Sequence, residues 1–211
     1  MAGRRLPVYL VLDTSGSMSG DPIEAVRQGV KLLVAELRSD PMAMETSYLS
    51  VITFSSTAQQ VVPLTELFAF QEPTLDASGA TSLGDALEEL IRCADRELTK
   101  TTADTKGDYK PLVFLMTDGQ PTDSWERAAD KVKNKHWNII ACAAGSGADE
   151  NLLKRITETV VKLNDTQPGT LKAFFKWVSS SIKTTSASVQ QVAADAPVNL
   201  PPPPPGIQIV P

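Results

Sequence analysis

The 211 residues are 42% hydrophobic and 21% charged, with a formal net charge of -5, which suits one domain with a full core, or one domain and a tail. The mildly acidic balance, with no run of Lys or Arg longer than two, excludes a nucleic-acid surface, which needs concentrated basic charge. The N-terminal MAGRRLPVYLVLD carries an apolar run too short for a secretion signal or a membrane span, and Cys93 and Cys142 lie far apart in apolar settings that favour buried free thiols. A cytoplasmic protein is expected.

Leu6 to Leu12 is a nearly continuous apolar run, as a strand covered on both faces requires, and it leads directly into Asp13-Thr14-Ser15-Gly16-Ser17. Asp21-Pro22-Ile23-Glu24 reads as a helix start with Asp21 as the cap, and Ile23, Val26, Val30, Leu33, Val34 and Leu37 form the apolar stripe of that helix. Tyr48 to Phe54 and Ala58 to Leu64 predict an antiparallel hairpin, Pro63 marking its outer strand as an edge. In the irregular stretch that follows, Leu67, Phe68 and Phe70 are expected to anchor the chain to the core. Ser78-Gly79-Ala80-Thr81-Ser82 then opens a helix over residues 83 to 98, with Ser82 and Asp85 spaced as a capping box. Residues 99 to 108 read as a solvated loop.

Pro111 to Met116 is the second strongly apolar run and ends in Thr117-Asp118-Gly119; a helix capped by Asp123 or Ser124 follows. Trp137 to Ala144 predicts a third buried strand, Asp149 to Glu158 a helix, Val160 to Leu163 a short strand and Thr170 to Ile182 a helix with a wide apolar face. Strands alternating with helices imply an α/β fold: a doubly wound, mainly parallel central sheet with helices on both faces and one antiparallel edge strand. The domain is expected to span residues 1 to 183. Residues 184 to 211, rich in Ser, Thr and Ala and then in Pro, read as a flexible tail; Pro201 to Pro205 would act as a stiff spacer, and Ile207 to Val210 could dock on a partner as an added strand.

Alone, Asp13 to Ser17 fits a polar turn, an aspartic-protease Asp-Thr-Ser-Gly, or a cation site. The protease reading fails on the fold, because such dyads need β-rich lobes. In a doubly wound sheet, the loops carrying Asp13, Ser15 and Ser17, then Thr81, then Asp118, open on the same edge. Five oxygen-bearing side chains can converge there. With no His or Cys among them, zinc is disfavoured and an octahedral hard cation favoured: Mg²⁺ or Mn²⁺, with Ca²⁺ a poorer fit. The single His136 reads as a surface or capping residue, Lys131, Lys133 and Lys135 as a solvated face, and Trp125, Trp137 and Trp177 as packing residues. No phosphate-binding glycine loop occurs.

In type and order, Asp13-x-Ser15-x-Ser17, Thr81 and Asp118 resemble the metal-ion-dependent adhesion site of von Willebrand factor type A domains, and the resemblance covers roughly residues 5 to 183. Ala80 stands where many members have a second Gly. Through VYLVLDTSGSMSGDPI, FSSTAQ and FLMTDGQPTD the chain is most similar to the compact bacterial TerY-like proteins found with tellurite-resistance operons. The resemblance implies that the Ser15 and Ser17 hydroxyls bind the cation directly, Thr81 directly or through water, and that Asp13 and Asp118 hold coordinated waters. It further implies a non-enzymatic adhesive role in a stress or tellurite-resistance system. The partner would be another protein that supplies Asp or Glu, such as an operon-encoded phosphatase, kinase or other tellurite-resistance protein. A metal-assisted hydrolase using the same cation is the alternative.

Overall fold

The computed structural model describes residues 4–104, 106–189 and 200–211, and across them strands and helices largely alternate. β1 (Leu6–Asp13) leads through a 3₁₀ turn (Gly16–Met18) into α1 (Asp21–Arg38) and the short α2 (Pro41–Thr46). β2 (Ser47–Phe54) and β3 (Ala58–Glu66) follow, then α3 (Leu83–Glu97), β4 (Leu112–Thr117), α4 (Glu126–Lys133) and β5 (Asn138–Ala144). The chain ends with α5 (Glu150–Ile156), β6 (Thr159–Leu163), α6 (Pro168–Val189) and β7 (Ile207–Val210).

Among the described residues the sheet has seven strands, in the order β3-β2-β1-β4-β5-β6-β7. β2, β1, β4, β5 and β6 run parallel, as the apolar runs require, and the expected hairpin makes β3 an antiparallel edge. Alternate residues of β1 feed two cores. Leu6, Val8, Leu10 and Leu12 face α1 and α6, and Tyr9 and Val11 face α3 and the helices beyond it. The chain moves outward from β1 to β2 and β3, then returns to lay β4 on the other side of β1. The carboxyl ends of β1 and β4 are therefore the topological switch point, where open α/β sheets keep their crevice.

The C-terminal stretch supplies more structure than a tail. α6 runs on to Val189, and buried Ser186 shares a hydrogen bond of 3.0 Å with Ser47 at the start of β2. β7 pairs antiparallel with β6, Leu163 opposite Ile207 and Val160 opposite Val210, and buries Ile207 in the core. Without it, β6 would present an open row of backbone donors and acceptors. The strand expected to dock on a partner thus completes the chain's own sheet, and the sheet has an antiparallel strand at each edge. The Pro201 carbonyl accepts a 2.9 Å hydrogen bond from the Trp177 indole, which ties the proline run to α6; Pro197 lies outside the described residues.

Phe68 also departs from expectation. Leu67 and Phe70 are buried, but Phe68 is 81% exposed. The Arg38 guanidinium donates to the Leu67 and Phe70 carbonyls at 3.0 and 2.6 Å, and the turn it clamps directs Phe68 outward. Among the described residues, no helix is long and apolar enough to cross a membrane.

Candidate functional site at the switch point

Asp13 is the last residue of β1 and is fully buried. Both of its carboxylate oxygens are used. Oδ1 accepts from the Ser15 amide at 2.8 Å, which turns the chain sharply out of the strand, and Oδ2 accepts from the Thr117 hydroxyl at 2.6 Å. Thr117 is the last residue of β4, so this bond fastens the ends of the two switch-point strands together. The turn brings the Ser15 and Ser17 hydroxyls within 3.0 Å of each other, and Ser17 donates to Asp118 Oδ1 at 2.7 Å.

Backbone ties bring in the loop before α3. The Gly16 amide donates to the Gly79 carbonyl at 3.0 Å and the Ser78 amide to the Thr14 carbonyl at 2.9 Å. Gly79 has φ 78° and its Cα faces Ser56 Oγ, so both conformation and space demand glycine here. Ala80 is accommodated, its amide donating to Ser56 Oγ at 3.1 Å. Thr81 is held by a reciprocal pair: its amide donates to Thr122 Oγ1 at 3.1 Å, and the Thr122 amide donates to the Thr81 carbonyl at 2.9 Å. A Cβ placed on Gly119 would lie 3.5 Å from Thr81 Oγ1 and 4.0 Å from Ser17 Oγ, so these two hydroxyls flank the glycine after Asp118.

The five side chains singled out in the sequence therefore meet at one edge. Thr117, Thr122 and Asp123 support them and were not foreseen in that role. Asp123 does not cap α4, whose N-cap is Trp125; its carboxylate accepts from the Gly84 and Asp85 amides at 3.1 and 3.0 Å and so caps α3 across the loop. Ser82 makes no capping bond, its hydroxyl going instead to the Ser56 carbonyl at 3.0 Å. Likewise α1 is entered through Gly20, with Asp21 already in its first turn.

Burial pushes the Asp118 carboxyl up from its ordinary range, the Ser17 hydrogen bond opposes that shift, and the Asp13 carboxylate adds to it. Two carboxylates and three hydroxyls, with no nitrogen or sulfur among them, form a hard-oxygen donor set. Among the described residues, no group of three or more His, Cys, Asp or Glu side chains could hold a metal ion, so a cation here depends on the hydroxyls. His136 is remote: it follows α4 at φ 54°, just before β5 begins at the opposite edge of the sheet. Lys131 and Lys135 pair with Glu88 and Asp95.

The chain is 34% identical over 124 residues to an uncharacterized protein of Synechocystis, an alignment that covers 56% of this chain and 26% of that one. Its fold is similar to that of a von Willebrand factor type A protein from Catenulispora acidiphila, with a TM-score of 0.66, 20% identity, and coverage of 86% of this chain and 43% of the other. It is also similar to proximal thread matrix protein 1 of the mussel byssus, solved with a zinc-occupied MIDAS motif, with a TM-score of 0.59, 21% identity, and coverage of 84% and 48%. The chain thus spans half or less of the length of each of these proteins. The von Willebrand factor type A domain family matches residues 8–177, most of the chain and all five of the clustered side chains. The chain belongs to that family.

Proposed function

We propose that this chain is a metal-dependent protein-interaction module, holding Mg²⁺ or Mn²⁺ through Ser15, Ser17 and Thr81 with Asp13 and Asp118 behind them, and acting in a bacterial stress or tellurite-resistance system. Domains of this family commonly mediate metal-dependent protein interactions. The observation that carries the reading is the continuous chain of oxygens from Ser15 through Ser17 to Asp118, with the Thr81 hydroxyl beside Gly119.

The chain's own residues account for the adhesive character. Asp13 spends its oxygens on the Ser15 amide and the Thr117 hydroxyl, so its charge acts from behind the hydroxyls. Neutral hydroxyls as the nearest donors leave a bound dication most of its charge, and that charge attracts a carboxylate of the partner. Ser15 and Ser17 fix where the partner's Asp or Glu arrives, and the ties through Gly79 and Thr122 hold that geometry rigid before the partner binds.

No observation favours the hydrolase alternative. The one His side chain lies at the far edge of the sheet, and Asp13 is too fully engaged to take a proton from water. A cytoplasmic location and a partner encoded near this protein follow from the likeness of VYLVLDTSGSMSGDPI, FSSTAQ and FLMTDGQPTD to the TerY-like proteins. Affinity capture from the native host, with the wild type and with a Ser15→Ala/Ser17→Ala variant, tests the reading. A partner released by EDTA and missed by the variant is expected; one retained equally in EDTA and by the variant contradicts it.

A further inference from the structure

How Asp13 takes part in the metal site is decided by a residue outside the five clustered side chains. The register of β1 against β4 pairs Leu12 with Met116, so Asp13 and Thr117 come next, side by side on one face of the sheet. Thr117 is 3% exposed and Asp13 is fully buried, so water does not stand in for either partner. The Thr117 hydroxyl has two acceptors within reach, Asp13 Oδ2 at 2.6 Å and the Gly119 carbonyl at 3.5 Å, and its single proton goes to the nearer, charged one. A separation of 2.6 Å is that of a charge-assisted hydrogen bond. The Gly119 amide donates to Thr117 Oγ1 at 3.4 Å, and the branched Cβ stiffens the side chain, so the hydroxyl stays aimed at Asp13. Among the described residues, no other group donates to Oδ2.

We infer that Thr117 is a positioning residue that keeps Asp13 from ligating the cation directly. It thereby sets the balance between how tightly the site holds its metal and how strongly that metal draws a partner's carboxylate. The inference rests on the functional reading above and deepens it. Cation affinity rises with the number of charged ligands, but each carboxylate bound directly cancels charge that would otherwise attract the partner.

The two carboxylates of the site are held differently. Among the described residues, Asp118 accepts one side-chain hydrogen bond, from Ser17, and is partly exposed, whereas Asp13 is pinned at both oxygens. Without the Thr117 hydroxyl, Oδ1 would still rest on the amide of Ser15, whose own hydroxyl lies 3.0 Å from that of Ser17. Oδ2 would be left buried and unpaired beside the hydroxyls proposed to hold the metal. An unpaired carboxylate oxygen in a buried setting is costly, and a dication held by those hydroxyls is the strongest partner open to it.

The test uses the full chain with Thr117→Val, which keeps the shape and loses the donor, and with Thr117→Ser, which keeps the donor. Calorimetry reads Mn²⁺ affinity, and electron spin-echo spectroscopy in isotopically labelled water counts the waters left on the bound ion. Thr117→Val is expected to bind Mn²⁺ about tenfold more tightly and with fewer waters than the wild type. Acetate, standing for the partner's carboxylate, should displace a further water about tenfold less readily from that variant. Thr117→Ser should stay within about threefold of the wild type in each reading. A Thr117→Val protein with wild-type affinity and water count overturns the inference and leaves the functional reading standing. Weaker Mn²⁺ binding with an unchanged water count does the same, because Thr117 would then only support the fold. A wild type that binds no Mn²⁺ overturns the functional reading and the inference with it. One arm needs no variant to fold: the buried Thr117 hydroxyl proton of the wild type should be resolved by NMR and keep its place at saturating Mg²⁺. Its loss on metal binding would show Asp13 released from Thr117 and would overturn the inference.

Discussion

Asp123→Ala should destabilise α3 even though Asp123 lies some forty residues away in the chain and belongs to another loop. The carboxylate accepts from two successive amides at the α3 N-terminus, Gly84 and Asp85, where Ser82 provides no cap. Losing an N-cap acceptor costs about 0.5–2 kcal/mol, and losing a negative charge at the positive end of the helix adds about 0.3–1 kcal/mol. The sum is about 1–3 kcal/mol. With a urea slope of roughly 2–3 kcal/mol/M for a domain of this size, the unfolding midpoint should fall by about 0.3–1.5 M with no change in slope. Asp123→Asn keeps one acceptor oxygen and should lose about half as much. Equilibrium urea unfolding followed by far-UV circular dichroism reads all three proteins. A midpoint for Asp123→Ala within error of wild type would refute the cross-loop cap. An unfolding curve for Asp123→Asn that matches Asp123→Ala would refute the division between hydrogen bond and charge.

Gly29→Ala should lower stability by about 1–2 kcal/mol, because the new methyl would overlap the Phe175 ring of α6 and the overpacking outweighs the gain in helix propensity; a raised melting temperature in calorimetry would contradict that packing. Deleting residues 206–211 should speed amide exchange at Val160 to Leu163 at least about tenfold while leaving β4 unchanged, since only β6 loses a hydrogen-bonded neighbour. Unchanged exchange in β6 would show that β7 does not protect it.

What could be read from the sequence is what its local patterns carry. The apolar runs at Leu6–Leu12 and Pro111–Met116 give the central strands, because a strand buried on both faces cannot be polar. The candidate site was legible for a related reason: carboxylates and hydroxyls placed directly after such strands stand at the carboxyl edge of the sheet. The supporting residues were not legible. Asp123 looks like a cap for the helix that follows it, and only the fold shows that the amides it satisfies belong to α3. Thr117 and Thr122 act through partners in β1 and in the loop before α3, a reach that no spacing rule covers. Ile207 to Val210 was legible as a strand but was assigned to a partner's sheet, because a four-residue strand after five prolines reads as a projecting peptide. What holds it is the open edge of β6, a property of the assembled sheet. Phe68 and Phe70 look equivalent in sequence, and the Arg38 clamp makes one buried and the other exposed.

Calorimetric titration of Mg²⁺ and Mn²⁺ into the wild type and Asp13→Asn tests the central claim most directly. Asparagine keeps an oxygen for the Ser15 amide, and its side-chain nitrogen can donate to the Thr117 hydroxyl in place of the bond Thr117 now donates, so the fold should persist within about 1 kcal/mol while the buried charge behind the hydroxyls is lost. The account predicts saturable binding by the wild type at one site per chain and affinity at least about tenfold weaker in the variant, whose unfolding midpoint stays near that of the wild type. Equal binding by the two proteins, or no binding by the wild type, would contradict it.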